Sequence, residues 1–207
     1  MHAPLAGVSL RAAVTAAGRR RPATAEGGFL FTHRGYSGPA VLDISHHAVL
    51  AARAGRPQTL LVRWSPLDEE SWQRELGAGS SATVLSRLRP HLPARLAERL
   101  LEEAGIEPGR RLSQLRREER RRLIELLVRY LLPWSGDEGY RKAEVTGGGV
   151  ALGDIDPRTL ESRIAPGLFL CGEMLDAFGP IGGYNFAWAW ATGRAAGIGS
   201  AQRSRSG

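Results

Sequence analysis

The stretch from Gly167 to Gly197, GLFLCGEMLDAFGPIGGYNFAWAWATGRAAG, restricts the possible folds more than any other part of the chain. It opens with four apolar residues, Leu168 to Cys171, bounded by Gly167 and Gly172, and such a run reads as a strand buried on both faces. Beyond a glycine-rich loop, Phe186, Trp188 and Trp190 stand at every second position, which is the spacing of a strand. Gly182-Gly183 before them and the small residues after them suit a helix instead. Set at about 100° per residue, Tyr184, Ala187, Trp188, Ala191, Ala195 and Ile198 share one broad face, with Phe186 and Trp190 opposite. The alternation is then the mark of a helix with two packed apolar faces, and Ala187, Ala191 and Ala195 let it lie close to a sheet. Buried strand, glycine loop and helix together are the layout of an α/β nucleotide-binding layer.

Two features of this layer bear on chemistry. Gly182 and Gly183 sit where the first N–H groups of the helix have no partner inside it, an arrangement that favours a ligand oxygen or partial negative charge. A buried terminal helix with a flexible entry loop is the structural alternative. Glu173 follows the apolar run directly, which puts a carboxylate at the carboxyl end of a sheet, where hydroxyl-bearing ligands of open α/β folds bind. The same residue reads equally as an exposed loop glutamate.

The remaining chain divides by texture. Residues 1–64 alternate short apolar segments with glycine, and QTLLVRW has the content of a strand. Within them Pro39 opens a helix that Gly55 ends. Residues 65–139 are helical: Pro66 with Asp68, Glu69 and Glu70 makes an acidic first turn, Pro93 to Gly105 delimits one helix, and Ser113 caps another that Pro133 stops. In that last helix Leu123, Leu127 and Tyr130 share a face widened by Leu126. Residues 140–207 hold the opening layer and a short turn with Asp156 as its cap and Pro157 at the first position.

Composition removes several function classes. The 207 residues are 43% hydrophobic and 24% charged, as in an ordinary globular protein. The net charge of +7 invites nucleic acid, but all the basic residues except Lys142 are arginines spread along the chain. The densest cluster, Arg116 to Arg122, interleaves Glu118 and Glu119 at helical spacing and lacks aromatics for base stacking, so a solvated helix face is expected and no nucleic-acid partner. The single Cys171 forms no internal disulfide and fits a packed thiol in a reducing compartment. No apolar run is long enough to span a membrane, and Arg19-Arg20-Arg21 follows rather than precedes the short apolar N-terminal stretch, so no membrane partner and a cytoplasmic location are expected. His33 reads as a structural histidine or one facing a ligand, and His46-His47 has no partners at metal spacing, so no metal site is expected.

Three blocks carry a resemblance: LFTHRGYSGPAVLDIS (30–45), KAEVTGGGVAL (142–152) and DPRTLESRIAPGLFLCGEMLDAFGPIGGYNFAWAWATGRAAG (156–197). In this order and spacing the chain resembles the HI0933-like flavoproteins, a family of NAD(P)/FAD-dependent, aminoacetone-oxidase-type oxidoreductases. The resemblance implies an α/β fold, α+β overall: an insert domain with a β part and junction segment (1–64) and a small helical bundle (65–139), then the carboxyl-terminal segment of a two-dinucleotide-binding-domain FAD fold (140–207). It implies FAD as cofactor, NAD(P)H as a candidate electron donor and a small-molecule substrate. The family's cofactor segments fall here on Thr146, Gly147, Gly148, Gly172, Glu173, Gly182, Gly183, Tyr184 and Asn185, while no catalytic residue is assigned. Ile181 stands where the family often has threonine, which removes a hydroxyl but no backbone contact.

The family's G-x-G-x-x-G fingerprint is absent. The nearest string, GAGSSA at 77–82, follows the polar SWQREL rather than a strand and is a chance match. The chain therefore reads as a fragment whose amino-terminal FAD-binding half is missing, and FAD is expected to bind it weakly when alone. The competing expectations are a non-enzymatic remnant or interaction module that no longer binds flavin, and nucleic-acid binding through the arginines.

Overall fold

A computed structural model describes residues 3–18, 22–77 and 81–205. Arg19-Arg20-Arg21 and residues 78–80 of the GAGSSA string lie outside them. The chain forms two compact units, Met1–Gly136 and Asp137–Gly207, and it mixes helices with one five-stranded sheet, an α+β arrangement.

In the first unit β1 (Ser9–Ala16) and β2 (Ala23–Phe31) pair antiparallel from Ser9↔Leu30 to Ala16↔Ala23. The short β3 (Tyr36–Ser37) extends the β2 edge, and β4 (Leu60–Arg63) lies on the other side of β1, followed by β5 (Tyr130–Leu131). Alternation decides which face is inside: Phe29 and Phe31 are buried while Leu30 between them is exposed. Phe29 meets Trp64 edge to face at 5.2 Å, Phe31 stacks on Trp64 at 5.6 Å, and Trp64 reaches Tyr130 at 5.4 Å. Helix α1 (Pro39–Arg53) has the expected first-turn proline, and its Ala40, Ile44 and Ala48 are buried in the same core.

The helices α2 (Glu69–Glu75), α3 (Val84–Leu88), α4 (Ala94–Ala104) and α5 (Arg117–Val128) complete this unit. Asp68 caps α2 by accepting from the Ser71 N–H at 2.8 Å, and Gly105 ends α4 in the left-handed region. The fourth helix departs from expectation at both ends. Ser113 is not its cap: Leu112 and Leu115 are buried, Leu112–Gln114 forms a separate 3₁₀ turn, and α5 starts at Arg117, where Glu119 accepts from the Arg116 N–H at 2.9 Å. Pro133 does not stop it either. The helix ends at Val128 because Tyr130 and Leu131 pair with the open edge of β4, so Tyr130 is buried from a strand and not from the helix face.

Tyr36 on β3 and Tyr130 on β5 both lie near Glu103 of α4, which Arg99 holds at 2.9 Å. Burial first, and then the Glu103 carboxylate, pushes the Tyr36 phenol up to about 12 and raises Tyr130 well above its ordinary value. Unfolded tyrosines release their protons near pH 10, whereas these keep them, so the stability they confer is complete below pH 10 and is lost as pH rises toward 12. Urea titrations over that window should show a loss on the order of 2 kcal/mol. A Tyr36→Phe, Tyr130→Phe double variant should flatten the slope, and an unchanged slope would contradict the assignment.

Besides short 3₁₀ turns, the described residues of the second unit form the helix α6 (Tyr184–Ser204), which resolves the alternating aromatics as a helix. Its two-faced packing is corrected. Thr192, Ala196 and Gly199 are buried and Trp188 and Ala195 half-buried, whereas Phe186, Trp190 and Ile198 are exposed, as are Ala187 and Ala191. The helix lies against turns rather than a sheet, and a Cβ on Gly199 would come within 2.5 Å of the Thr159 oxygen. The buried strand at Leu168–Cys171 is likewise corrected. Among the described residues only Phe169 bridges, to Glu161, the flanking backbone bonds run from Ser162 to Leu168 and from Leu170 to Leu160, and Leu168 is exposed while Phe169, Leu170 and Cys171 pack against Ile155, Leu160, Leu175 and Ala196. Asp156 does hold its turn, accepting from the N–H groups of Arg158 and Thr159.

Candidate functional site

Three glycine-containing segments of the second unit converge: 146–150, 172–179 and the start of α6. Val150 makes a parallel bridge with Leu175, donating to the Met174 carbonyl at 2.9 Å while its own carbonyl accepts from Asp176 at 2.8 Å. Gly149 permits this approach. Its φ is 149°, and a Cβ there would lie 2.5 Å from the Met174 oxygen.

Glu173 has a definite partner. Its Oε1 accepts from the Thr146 N–H and from the Thr146 hydroxyl, both at 2.7 Å. The hydroxyl bond, followed by the backbone bond, holds the exposed carboxyl below its ordinary value of 4.5, so it is anionic at neutral pH. Gly148 donates to Asp176 Oδ1 at 3.0 Å, and the Phe178 ring covers Gly147 so closely that a Cβ there would meet it at 2.8 Å.

Gly172 begins a 3₁₀ turn with φ 66° and is buried against α6. Gly182 and Gly183 have φ of 129° and 92°, and Gly183 is the N-cap residue of α6, where no side chain caps the first turn. Asn185 turns away from the helix end and brackets the preceding loop, accepting from Gly179 N–H at 2.8 Å and donating to its carbonyl at 3.0 Å. Tyr184 is exposed. The structure thus gathers all nine expected residues in one unit, with Thr146 and Glu173 in direct contact.

Asp176, Phe178, Trp188 and Thr192 also hold these segments, and sequence reasoning did not single them out as site residues. Thr192 alone carried a signal, as the one hydroxyl within an otherwise apolar helical run. Elsewhere, the His46 and His47 rings lie 3.8 Å apart and Cys171 is half-buried. Among the described residues no group of three or more His, Cys, Asp or Glu could hold a metal ion, and no helix is long and apolar enough to cross a membrane.

A hydrogen-bonded convergence of this kind can present backbone N–H groups and a helix's positive end to an anionic or electron-rich ligand edge. Similar sequences occur in known proteins. The chain is 39% identical over 191 residues to the ribosomal RNA dihydrouridine synthase of Escherichia coli, covering 91% of this chain and 45% of that protein. It is 38% identical over 207 residues to the 3-dehydro-bile acid delta(4,6)-reductase of Clostridium scindens, covering 97% of this chain and 51% of that protein. The Haemophilus influenzae ribosomal RNA dihydrouridine synthase is 36% identical over 166 residues, 79% of this chain and 39% of that protein. The chain therefore spans about half the length of the curated relatives it matches or less. Residues 1–145 match the description "HI0933-like protein barrel and H2TH domain", and with most of its length so matched the chain belongs to the HI0933-like family.

Proposed function

We propose that this chain is part of an FAD-dependent oxidoreductase in which the 146–150, 172–179 and 182–185 segments face the flavin ring. The observation that carries this reading is the start of α6. Two glycines at positive φ lead into it, no side chain caps its first turn, and nothing lies within 4 Å of where a Gly183 Cβ would stand. An uncapped helix end fits the pyrimidine edge of a flavin, where negative charge builds on reduction.

The names of the relatives support a narrower class of substrate. One relative is named for making dihydrouridine and the other as a delta(4,6)-reductase of a 3-dehydro-bile acid, and we infer from both names the saturation of a carbon–carbon double bond conjugated to a carbonyl. We assign this chain to the same class of reaction, a two-electron reduction of such a bond in a small molecule or a nucleobase. When bound and reduced, FAD supplies the hydride for one carbon, a proton completes the other, and a nicotinamide such as NAD(P)H restores the electrons. The chain's own contribution is placement. The Gly183 and Tyr184 N–H groups would donate toward the ring edge, and Glu173, which holds the Thr146 N–H and hydroxyl, would keep Thr146 to Gly148 in place to line the ring. The positive end of α6 favours the reduced, more electron-rich ring over the oxidised one.

Fluorescence titration of the 207-residue chain with FAD tests the reading. Saturable binding is expected, weak because no G-x-G-x-x-G in these 207 residues stands ready to hold the pyrophosphate. Gly183→Val, which forces a β-branched residue to φ 92°, should weaken it roughly tenfold or more. No saturable binding by the wild-type chain, or equal binding by the variant, would overturn it.

A further inference from the structure

The hydrogen bonds around Gly172 form a relay from α6 to the Thr146 segment. The Gly172 N–H donates to the Thr192 hydroxyl at 2.9 Å, and its carbonyl accepts from the Trp188 indole N–H at 3.2 Å. Side chains one turn apart on the same helix thus reach both polar groups of this buried glycine, whose carbonyl also accepts from the Leu175 N–H at 3.2 Å and so closes the turn. Thr192 is 6% exposed and returns its own proton to the Trp188 carbonyl at 2.6 Å, so its hydroxyl is oriented with its acceptor side toward Gly172. From the Gly172 turn the connection continues outward. Glu173 holds the Thr146 N–H and hydroxyl, Asp176 holds the Gly148 N–H, and the Asp176 N–H holds the Val150 carbonyl. These four bonds tie residues 146–150 to the turn that Thr192 fixes.

We propose that Thr192 and Asp176 are positioning residues: Thr192 locks the Gly172 turn to α6, and Asp176 hangs the 146–150 segment on that turn, so that the helix end and the lining segment move as one body. That this body faces a flavin rests on the reading given above. The mechanical coupling does not. Neither side chain is placed on the reacting atoms; each acts through the backbone it holds. Loss of the Thr192 hydroxyl leaves a buried N–H unpaired, and the turn that carries Glu173 and Asp176 loosens with it.

Amide hydrogen exchange of the 207-residue chain, read residue by residue, tests this directly. Thr192→Val keeps the shape and removes the oxygen. It should speed exchange at least tenfold at Gly172, and also at Thr146 and Gly148, which Thr192 does not touch. Thr192→Ser should restore protection at all three. Asp176→Ala should speed exchange at Gly148 while Gly172 stays protected, and Asp176→Asn, which keeps an acceptor oxygen, should resemble the parent. Unchanged exchange at Thr146 and Gly148 in Thr192→Val, or a serine variant as fast as the valine one, overturns the proposal. If Thr192→Val unfolds the second unit, the Asp176 pair decides, because Gly148 protection equal in the Ala and Asn variants is also contrary to it. Absence of flavin binding with the coupling present removes the functional reading alone, and flavin binding without the coupling removes this one alone. Where FAD binds, Thr192→Val should weaken it about tenfold and Thr192→Ser should not.

Discussion

Gly149→Ala is expected to detach the 146–150 segment from the 174–176 segment. The added Cβ would sit 2.5 Å from the Met174 oxygen, and the contact is with backbone, which cannot swing aside as a flexible side chain does. The φ of 149° adds a conformational penalty for any L side chain. Overpacking and strain of this kind together cost roughly 2–6 kcal/mol. The bonds from Val150 to Met174 and from Asp176 to Val150 offset too little of that to survive. Exchange at the Val150 and Asp176 amides should rise about a hundredfold, the equivalent of ~2.7 kcal/mol. Gly148→Ala separates the two causes. Nothing lies within 4 Å of its Cβ, so only the φ of 88° penalises it, at about 1–2 kcal/mol. Equal effects of the two substitutions would remove close backbone approach as the reason for Gly149.

The second large effect belongs to the other unit. Trp64 is 1% exposed and touches Phe29, Phe31 and Tyr130, so it joins β4 to both β2 and β5. Trp64→Ala empties the centre of that cluster and should cost about 3–5 kcal/mol in urea unfolding. Trp64→Phe should cost much less. The indole N–H is buried with no hydrogen-bond partner among the described residues, so its removal recovers about 1–3 kcal/mol of the lost packing. A phenylalanine variant as unstable as the alanine one would show that indole shape, not apolar volume, holds the sheet edges.

Legibility in the sequence followed the range of the interactions. Local signals held at most helix ends: Pro39, Asp68 and Gly105 mark three of them and Gly182-Gly183 marks the start of α6, because capping is decided within a few residues, whereas Ser113 and Pro133 failed where burial of Leu112 and Leu115 and pairing with β4 took over. Pairing between distant segments was not legible. Tyr130 continues the periodicity of α5 but is taken by β4, which lies about 70 residues earlier, and nothing near Tyr130 announces that edge. Leu168–Cys171 has the composition of a buried strand, but among the described residues it makes a single bridge, from Phe169 to Glu161. At the site, Glu173 stood out because a carboxylate after an apolar run is conspicuous, whereas Asp176 and Thr192 became visible only through the atoms they hold.

The proposed flavin-facing end, made of the 146–150, 172–179 and 182–185 segments, predicts a definite pattern of cofactor contacts. Two-dimensional amide NMR of the 207-residue chain during an FAD titration tests it most directly. Saturable shifts at Thr146, Gly147, Gly148, Gly182, Gly183 and Tyr184, with the first unit unmoved, are the predicted result. Shifts confined to the arginine-rich α5, or no saturable shift in the second unit, would contradict it.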